Sequence, residues 1–189
     1  GVDLNRNYGY QWGIDDIGSS SNPSADTYRG PAPFSEPETK NMRDFVLAHE
    51  FYTALNYHAY GNFLIYPWGY TEENNPDLPA FENYGELMSL DNGYKPGTSM
   101  ETVEYPTNGS SDDWMYAEHG IYAMTPEVGD DDDVFWPDQD RIIPISQACL
   151  KSNLALAHVP HQFAVIKDVD GEFFTEKEGT INLRIKNYG

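Results

Sequence analysis

Apolar residues recur at helical spacing in several stretches of the chain and in short continuous runs in others. The periodic stretches predict helices over about residues 36–49, 78–90 and 140–158, with a shorter helix over 112–119. In the second helix one face carries an apolar stripe, and the helix ends at Asp91-Asn92-Gly93, where glycine favours termination. Ser35-Glu36-Pro37-Glu38 predicts a capping box at the start of the first helix, and Ser111 is the predicted cap of the short one.

Short apolar runs between these helices predict buried strands over Phe51–Asn56, Phe63–Tyr66 and Ile121–Thr125. The segment 94–110 contains two prolines and two glycines, which favours a long loop of the kind that carries binding residues. Strands alternating with helices indicate an α/β fold.

After Pro160 the pattern changes to two strand-like segments, Gln162–Val169 and Thr180–Asn187, on either side of Asp170-Gly171. We therefore predict two units: residues 1–158 as the α/β part and residues 159–189 as the start of an appended β-rich domain.

Composition excludes several classes of function. The net charge of −20, with 11 basic against 31 acidic residues, is incompatible with a surface that follows nucleic-acid phosphates, and it disfavours anionic membranes. No run of 18 apolar residues is present to span a bilayer. The single Cys149 permits no internal disulfide and lies in an apolar-periodic run, which favours a buried structural thiol.

The opening segment concentrates polar groups suited to binding. Asp3, Asn5 and Arg6 supply a carboxylate, an amide and a guanidinium within four positions. Arginine binds carboxylates through two parallel hydrogen bonds. A polar loop following a strand explains the same residues, so the segment alone does not decide between the two.

Two further candidates follow predicted strands. His58 comes just after an apolar strand, where a metal ligand or a hydrogen-bonded structural histidine can lie. Glu127 ends another strand, as a catalytic acid or as an acid preceding the run Asp130–Asp133. That run is typical of a solvated loop, with a calcium site as the alternative.

An ordered set of motifs resembles the zinc carboxypeptidase family, the carboxypeptidase A/B-like metallopeptidases. The resemblance covers about residues 1–158 and implies the C-terminal part of an α/β catalytic domain, with a mixed central sheet flanked by helices. A His-x-x-Glu zinc motif is absent, and we expect it upstream of Gly1. The motifs are Gly1-Val2-Asp3-Leu4-Asn5-Arg6-Asn7, Tyr28-Arg29-Gly30-Pro31, Phe34-Ser35-Glu36-Pro37-Glu38-Thr39, Asn56-Tyr57-His58-Ala59-Tyr60, Leu64-Ile65-Tyr66-Pro67-Trp68-Gly69-Tyr70 and Tyr122-Ala123-Met124-Thr125-Pro126-Glu127-Val128-Gly129.

The resemblance implies a role for each of these candidates. His58 matches the third protein ligand of the zinc ion, with two more ligands expected upstream of Gly1, and Glu127 matches the general base. Asn5 and Arg6 match the pair that binds the C-terminal carboxylate of the substrate. Asp3 matches the acid that orients a zinc-bound histidine.

Three more residues are implied to bind substrate. Tyr60 belongs to the triplet His58-Ala59-Tyr60, whose middle residue departs from the commonest form, and Tyr105 matches the tyrosine that closes over bound substrate. Asp112 matches the floor of the pocket for the last residue, where an acid resembles the carboxypeptidase B pattern and favours C-terminal Lys or Arg. A first-turn acid favoured by the helix dipole is the alternative for Asp112, and it fits Asp113 equally.

The implied function is a zinc metallocarboxypeptidase that acts on peptide or protein C-termini, in a secreted or periplasmic protein. The alternatives are a non-catalytic peptide-binding module and an amidohydrolase that acts on acyl-amino acids. We expect residues 1–189 alone to be inactive, because two zinc ligands are expected elsewhere. We also expect self-association through residues 51–56, whose neighbouring strand in the family precedes this segment.

Overall fold

The computed structural model describes residues 1–161, 163–170 and 182–188. The helices are a short 3₁₀ helix (Leu4–Arg6), α1 (Pro37–Leu47), α2 (Leu78–Ser89), α3 (Ser99–Thr102), α4 (Ser111–His119) and α5 (Ile142–His158). The strands are β1 (Thr53–Leu55), β2 (Phe63–Ile65), β3 (Lys95–Gly97), β4 (Tyr122–Glu127), β5 (Ala164–Asp170) and β6 (Asn182–Asn187).

The central sheet is mixed and has the strand order β1-β4-β2-β3. Strand β4 runs parallel to β1 and antiparallel to β2, and β3 runs parallel to β2. The mixed α/β architecture predicted from the sequence is therefore confirmed.

Helices cover both faces of this sheet. Successive residues of a strand point to opposite faces, and both Ala123 and Met124 of β4 are fully buried. Met124 packs with Phe81 of α2 and Leu156 of α5, whereas Ala123 packs with Trp114 of α4 in a separate cluster. These two cores fix the ends of β1 and β4, where the candidate residues lie.

The predicted helix caps are wrong in both places. Helix α1 follows Glu36, whose side chain makes no capping bond. The Ser35 hydroxyl does not cap the helix either, since it accepts a hydrogen bond from the Asn7 amide and donates one to the Glu36 carboxylate. Helix α4 is capped by Ser110, whose hydroxyl accepts a hydrogen bond from the main-chain N–H of residue 113. Ser111 is helical and donates to Asn5.

The predicted loop 94–110 contains two regular elements, β3 and α3. The sequence signal for β3 is weak because Pro96 cannot donate to a ladder, but β3 is an edge strand, where proline is tolerated. A capping box formed by Thr98 and Glu101 starts α3.

The two predicted strand-like segments contain β5 and β6, which pair antiparallel in a separate sheet; residues 162, 180 and 181 lie outside the described part. Tyr188 packs with Leu87 of α2 and Val159, and Glu86 forms ion pairs with Lys167 and Lys186. The domain boundary near residue 158 stays a prediction. No described helix is both long and apolar enough to cross a bilayer.

Strand β1 is an edge strand of the sheet and, within the described residues, pairs only with β4. Beside it Phe51 and Tyr52 are 37% and 68% exposed. Because unpaired strand edges template association, residues 1–189 alone are expected to sediment as oligomers. Tyr52→Lys should reduce this association, whereas Leu90→Lys, an equally charged change at another exposed residue, should not. A monodisperse, cooperatively melting wild-type monomer would contradict this expectation.

Candidate active site

A cavity of about 220 Å³ opens where β1 and β4 end. Because these strands are parallel, the segments that follow them emerge at the same edge of the sheet. The cavity brings together most of the sequence candidates, which come from the chain's opening segment, the two strand ends and the 94–110 segment. Of the predicted residues, its walls include Asp3, Asn5, Arg6, His58, Tyr105, Asp112 and Glu127.

Main-chain hydrogen bonds fix His58 beside Glu127. The His58 N–H donates to the Pro126 carbonyl at 2.9 Å, and the His58 carbonyl accepts from the N–H of Val128, also at 2.9 Å. The strand pairing therefore continues past the end of β1. It places an imidazole and a carboxylate on the same cavity.

Glu127 has the properties of a proton acceptor. It is 9% exposed, and its Oε2 atom has no hydrogen-bond partner among the described residues. Loss of solvation and the nearby Asp112 together raise the pKa of this carboxyl to about 7, although Arg6 opposes the shift. A carboxyl with such a pKa can both accept and return a proton near neutral pH.

Arg6 is a buried cation that faces the cavity. It is 7% exposed; its Nε donates to the Gly18 carbonyl at 2.8 Å and its Nη1 to the Asn5 carbonyl at 3.0 Å. The Asp3 carboxylate is no closer to Arg6 than 4.0 Å. The guanidinium therefore retains donors that can bind an anionic group in the cavity.

Asn5 and Asp3 shape the same wall. The Asn5 Oδ1 accepts from the main-chain N–H and hydroxyl of Ser111, at 3.0 and 3.1 Å, which leaves its amide NH₂ for a ligand. Asp3 caps the 3₁₀ helix by accepting from the Asn5 N–H at 3.0 Å. The role of Asp3 in orienting a metal-bound histidine stays a prediction.

The two aromatic candidates differ in their relation to the cavity. Tyr105 lines it and is 51% exposed. Tyr60 is not part of the cavity wall; its ring packs edge-on against Phe135, at 5.1 Å between centroids, and Phe135 does line the cavity. Tyr60 therefore reaches the site through Phe135.

Asp112 and Asp113 are both buried at the cavity but differ in their partners. Asp112 accepts hydrogen bonds from Asn56 Nδ2 and Thr125 Oγ1, both at 2.5 Å, and burial raises its pKa. Asp113 accepts from the main-chain N–H of Gly69 with both oxygens, at 3.0 and 3.1 Å, and burial raises its pKa to about 7. Of the two partners of Asp112, Thr125 lines the cavity and Asn56 does not, whereas Asp113 holds the loop at Gly69, which also lines the cavity.

Sequence reasoning missed Asn56, Thr125 and Phe135. Asn56 and Thr125 lie within or at the ends of strands that were predicted as apolar, so their side chains carried no separate signal. Phe135 follows the run Asp130–Asp133, and the charge of that run is the dominant sequence signal in this segment.

The run Asp130–Asp133 has a structural partner. Arg141 pairs with Asp133 at 2.7 Å and with Asp130 at 3.4 Å, and it holds the pKa of Asp133 down to about 2. Asp132 donates its main-chain N–H to Asp130. The guanidinium thus pairs with two of the four carboxylates of the run, and calcium binding by the run stays an alternative.

One imidazole ligand fits a zinc site at this cavity. The neutral histidine is a good zinc donor, and the Glu127 oxygen without a partner belongs to the same cavity and could take a proton from a water activated by the metal. Within residues 1–161, 163–170 and 182–188, no group of three His, Cys, Asp or Glu side chains could hold a metal ion. His58 would therefore supply one ligand of such a site, and the described residues do not complete the set.

Comparison with known proteins gives a consistent family. The sequence profile of the family described as zinc carboxypeptidase matches residues 1–152. Carboxypeptidase B of Astacus astacus is 36% identical over 157 residues, which cover 78% of this chain and 51% of the relative. Carboxypeptidase A1 of Rattus norvegicus is 39% identical over 137 residues, which cover 69% of this chain and 32% of the relative.

Solved structures agree with these sequence matches. Bovine thrombin-activatable fibrinolysis inhibitor, solved in complex with tick carboxypeptidase inhibitor, superposes with a TM-score of 0.77 at 27% identity over 83% of this chain and 56% of that chain. Carboxypeptidase A of Helicoverpa armigera superposes with a TM-score of 0.67 at 27% identity over 83% of this chain and 40% of that chain. The chain thus spans about half or less of the length of these curated relatives.

Proposed function

Because the chain belongs to the zinc carboxypeptidase family, we propose that the intact protein is a zinc metallocarboxypeptidase that hydrolyses the C-terminal peptide bond of peptides or proteins. The observation that carries the proposal is the shared cavity of Arg6, Glu127 and His58. A buried cation, a carboxyl with a pKa near neutrality and a metal-ligand imidazole are the groups that this reaction needs.

Arg6 and Asn5 explain why only the last bond is cut. A buried guanidinium is costly unless an anion satisfies it, and the free C-terminal carboxylate of a peptide provides one. The Asn5 amide can donate a further hydrogen bond to the same carboxylate. An internal peptide bond offers no such anion, so it would leave Arg6 unpaired.

Glu127 supplies the proton transfer. Its carboxylate accepts a proton from the attacking water and returns it to the amine of the departing residue, so that its own charge is restored after each cycle. When bound, zinc would lower the pKa of water and polarise the scissile carbonyl. Burial of Glu127 keeps bulk water from competing for the proton.

The proposal is tested with the intact protein and pairs of acylated dipeptides that differ only in a free carboxylate or an amide at the C-terminus. The free-carboxylate peptides should lose one residue, and the amides should be cut at least tenfold more slowly, because charged hydrogen bonds contribute about 1.5–3 kcal/mol. Internal cleavage of longer peptides, or equal rates for acid and amide, would contradict the proposal.

We further propose that Asp112 favours substrates that end in Lys or Arg. Asp112→Asn keeps the hydrogen-bond acceptor but removes the charge, so kcat/KM for a C-terminal Arg should fall by about 30-fold, or ~2 kcal/mol, relative to a C-terminal Phe. Asp44→Asn is the matched control, since it removes the same charge from an exposed residue that does not line the cavity and should not change this ratio. If the wild-type protein had equal kcat/KM values for C-terminal Arg and C-terminal Phe, or a higher value for Phe, the assignment of Asp112 would be wrong.

The peptide-binding module and the acyl-amino-acid hydrolase are separated from this proposal by the same assays. A module would bind peptides without releasing a residue, and the hydrolase would prefer single acylated amino acids over peptides. Export of the intact protein and the inactivity of residues 1–189 alone stay predictions.

A further inference from the structure

A second cavity, of about 380 Å³, lies beside α2 and the segment that joins β3 to α3. Strand β3 forms the edge of the sheet opposite to β1. The second cavity shares only Tyr66 with the candidate active site. It is therefore a separate feature of the surface, and nothing in the proposed reaction uses it.

Three carboxylates give this cavity a strong negative character. Glu72, Glu82 and Glu101 line it and are exposed. Glu101 accepts from the main-chain N–H and hydroxyl of Thr98, at 2.8 and 3.1 Å, which orients its carboxylate. The side chains of Glu72 and Glu82 form no ion pair or hydrogen bond within the described part of the chain.

A buried phenol without a partner faces these acids. Tyr66 is 6% exposed, its ring stacks on Phe81 at 5.8 Å between centroids, and no described residue forms a hydrogen bond with its hydroxyl. Burial, together with the charges of Glu101 and Glu82, raises the pKa of Tyr66 to about 12. The hydroxyl oxygen is thus an acceptor that lies in the field of both carboxylates.

The cavity is also partly apolar. Leu78 and Met100 form half-buried parts of its wall. A small metal ion makes no favourable contact with an apolar wall. Among the described residues, the acids of the cavity do not form a group of three side chains that could hold a metal ion. A cation on an aliphatic chain matches both the acidic and the apolar wall of the cavity, because lysine and arginine bury their methylene groups while the charged head stays paired.

We propose that this acidic cavity, lined by Tyr66, Glu72, Glu82 and Glu101, binds a Lys or Arg side chain of a basic polypeptide at a distance from the candidate active site. The carboxylates pair with the cationic head, the Tyr66 hydroxyl accepts one of its hydrogen bonds, and Leu78 with Met100 contacts the stem. Binding here requires no catalysis and is independent of the proposed function.

The test uses the full-length protein and the tetrapeptide Gly-Arg-Arg-Gly, acetylated at its N-terminus and amidated at its C-terminus. Without a free carboxylate this peptide cannot satisfy Arg6, and variants of the acidic cavity separate binding there from binding at Asp112 in calorimetric titration. The double variant Glu72→Gln/Glu82→Gln should weaken binding about tenfold or more, because charge-assisted hydrogen bonds are lost. Hydrolysis of a neutral peptide should be unchanged in this variant.

The matched control is Glu50→Gln/Glu73→Gln, which removes the same charge from exposed acids that do not line the cavity. This control should change binding by less than about twofold. Tyr66→Phe should weaken binding about threefold while the protein keeps its melting temperature within a few degrees. Equal weakening in both double variants would reveal a general effect of net charge and overturn the proposal, as would an absence of binding. Failure of the peptidase assays would not affect this result.

Discussion

Glu127→Gln in the intact protein is expected to lower kcat by about 10²–10⁴-fold while zinc stays bound, the usual range for loss of a positioned acid–base group. Glutamine keeps the shape of the side chain but cannot take a proton. In the structure Glu127 has a buried oxygen without a partner and a pKa raised to about 7, which suits transfer near neutral pH. Zinc content should be unchanged because the carboxyl is assigned to the water and not to the metal.

The measurement combines kcat with the metal content of the purified variant. Glu73→Gln, a change of the same kind at an exposed acid outside the cavity, should retain full activity. If Glu127→Gln kept more than about a tenth of kcat, equivalent to a loss of only ~1.4 kcal/mol, the proton-transfer role would be wrong. Loss of zinc together with activity would instead identify Glu127 as a ligand.

The second large effect is expected for Arg6→Lys. Lysine keeps the positive charge but not the planar fork, and it cannot reproduce the bond from Nε to the Gly18 carbonyl together with two bonds to a carboxylate. We expect kcat/KM for peptides with a free carboxylate to fall roughly 10- to 150-fold, from a loss of about 1.5–3 kcal/mol. The fall in kcat/KM should be large for peptides with a free C-terminal carboxylate and small for the corresponding C-terminal amides.

Arg29→Lys is the control for this substitution. Arg29 pairs with the exposed Asp16 at 2.6 Å and does not line the active-site cavity, so its replacement should leave the acid-to-amide ratio unchanged. An unchanged ratio in Arg6→Lys as well would show that the carboxylate is bound elsewhere.

Local patterns predicted three of the four strands of the central sheet, as well as helix α2, because their signals lie within a few residues. The periodicity around Phe81 and Leu87 identified α2, and the apolar runs identified β1, β2 and β4. Caps were predicted less well, since Ser35, Ser110 and Ser111 are chemically alike. Ser35 and Ser111 instead form hydrogen bonds with Asn7 and Asn5, which are remote from them in sequence.

The candidate residues Arg6, His58 and Glu127 were identified from the sequence through short motifs, each of which carries its own chemistry. Their convergence was not, because it depends on the pairing of β1 with β4 and on the contact between the opening segment and α4. The same is true of the bonds that hold Asp112 to Asn56 and Thr125.

The sequence by itself determined the α/β class, the acidic character and the set of groups available for chemistry, since these depend on residue types and local spacing. Only the tertiary structure decided which carboxyl is buried without a partner, which arginine keeps free donors and which acids surround Tyr66. Burial and hydrogen bonding are set by residues far apart in the chain, and pKa and affinity follow from them.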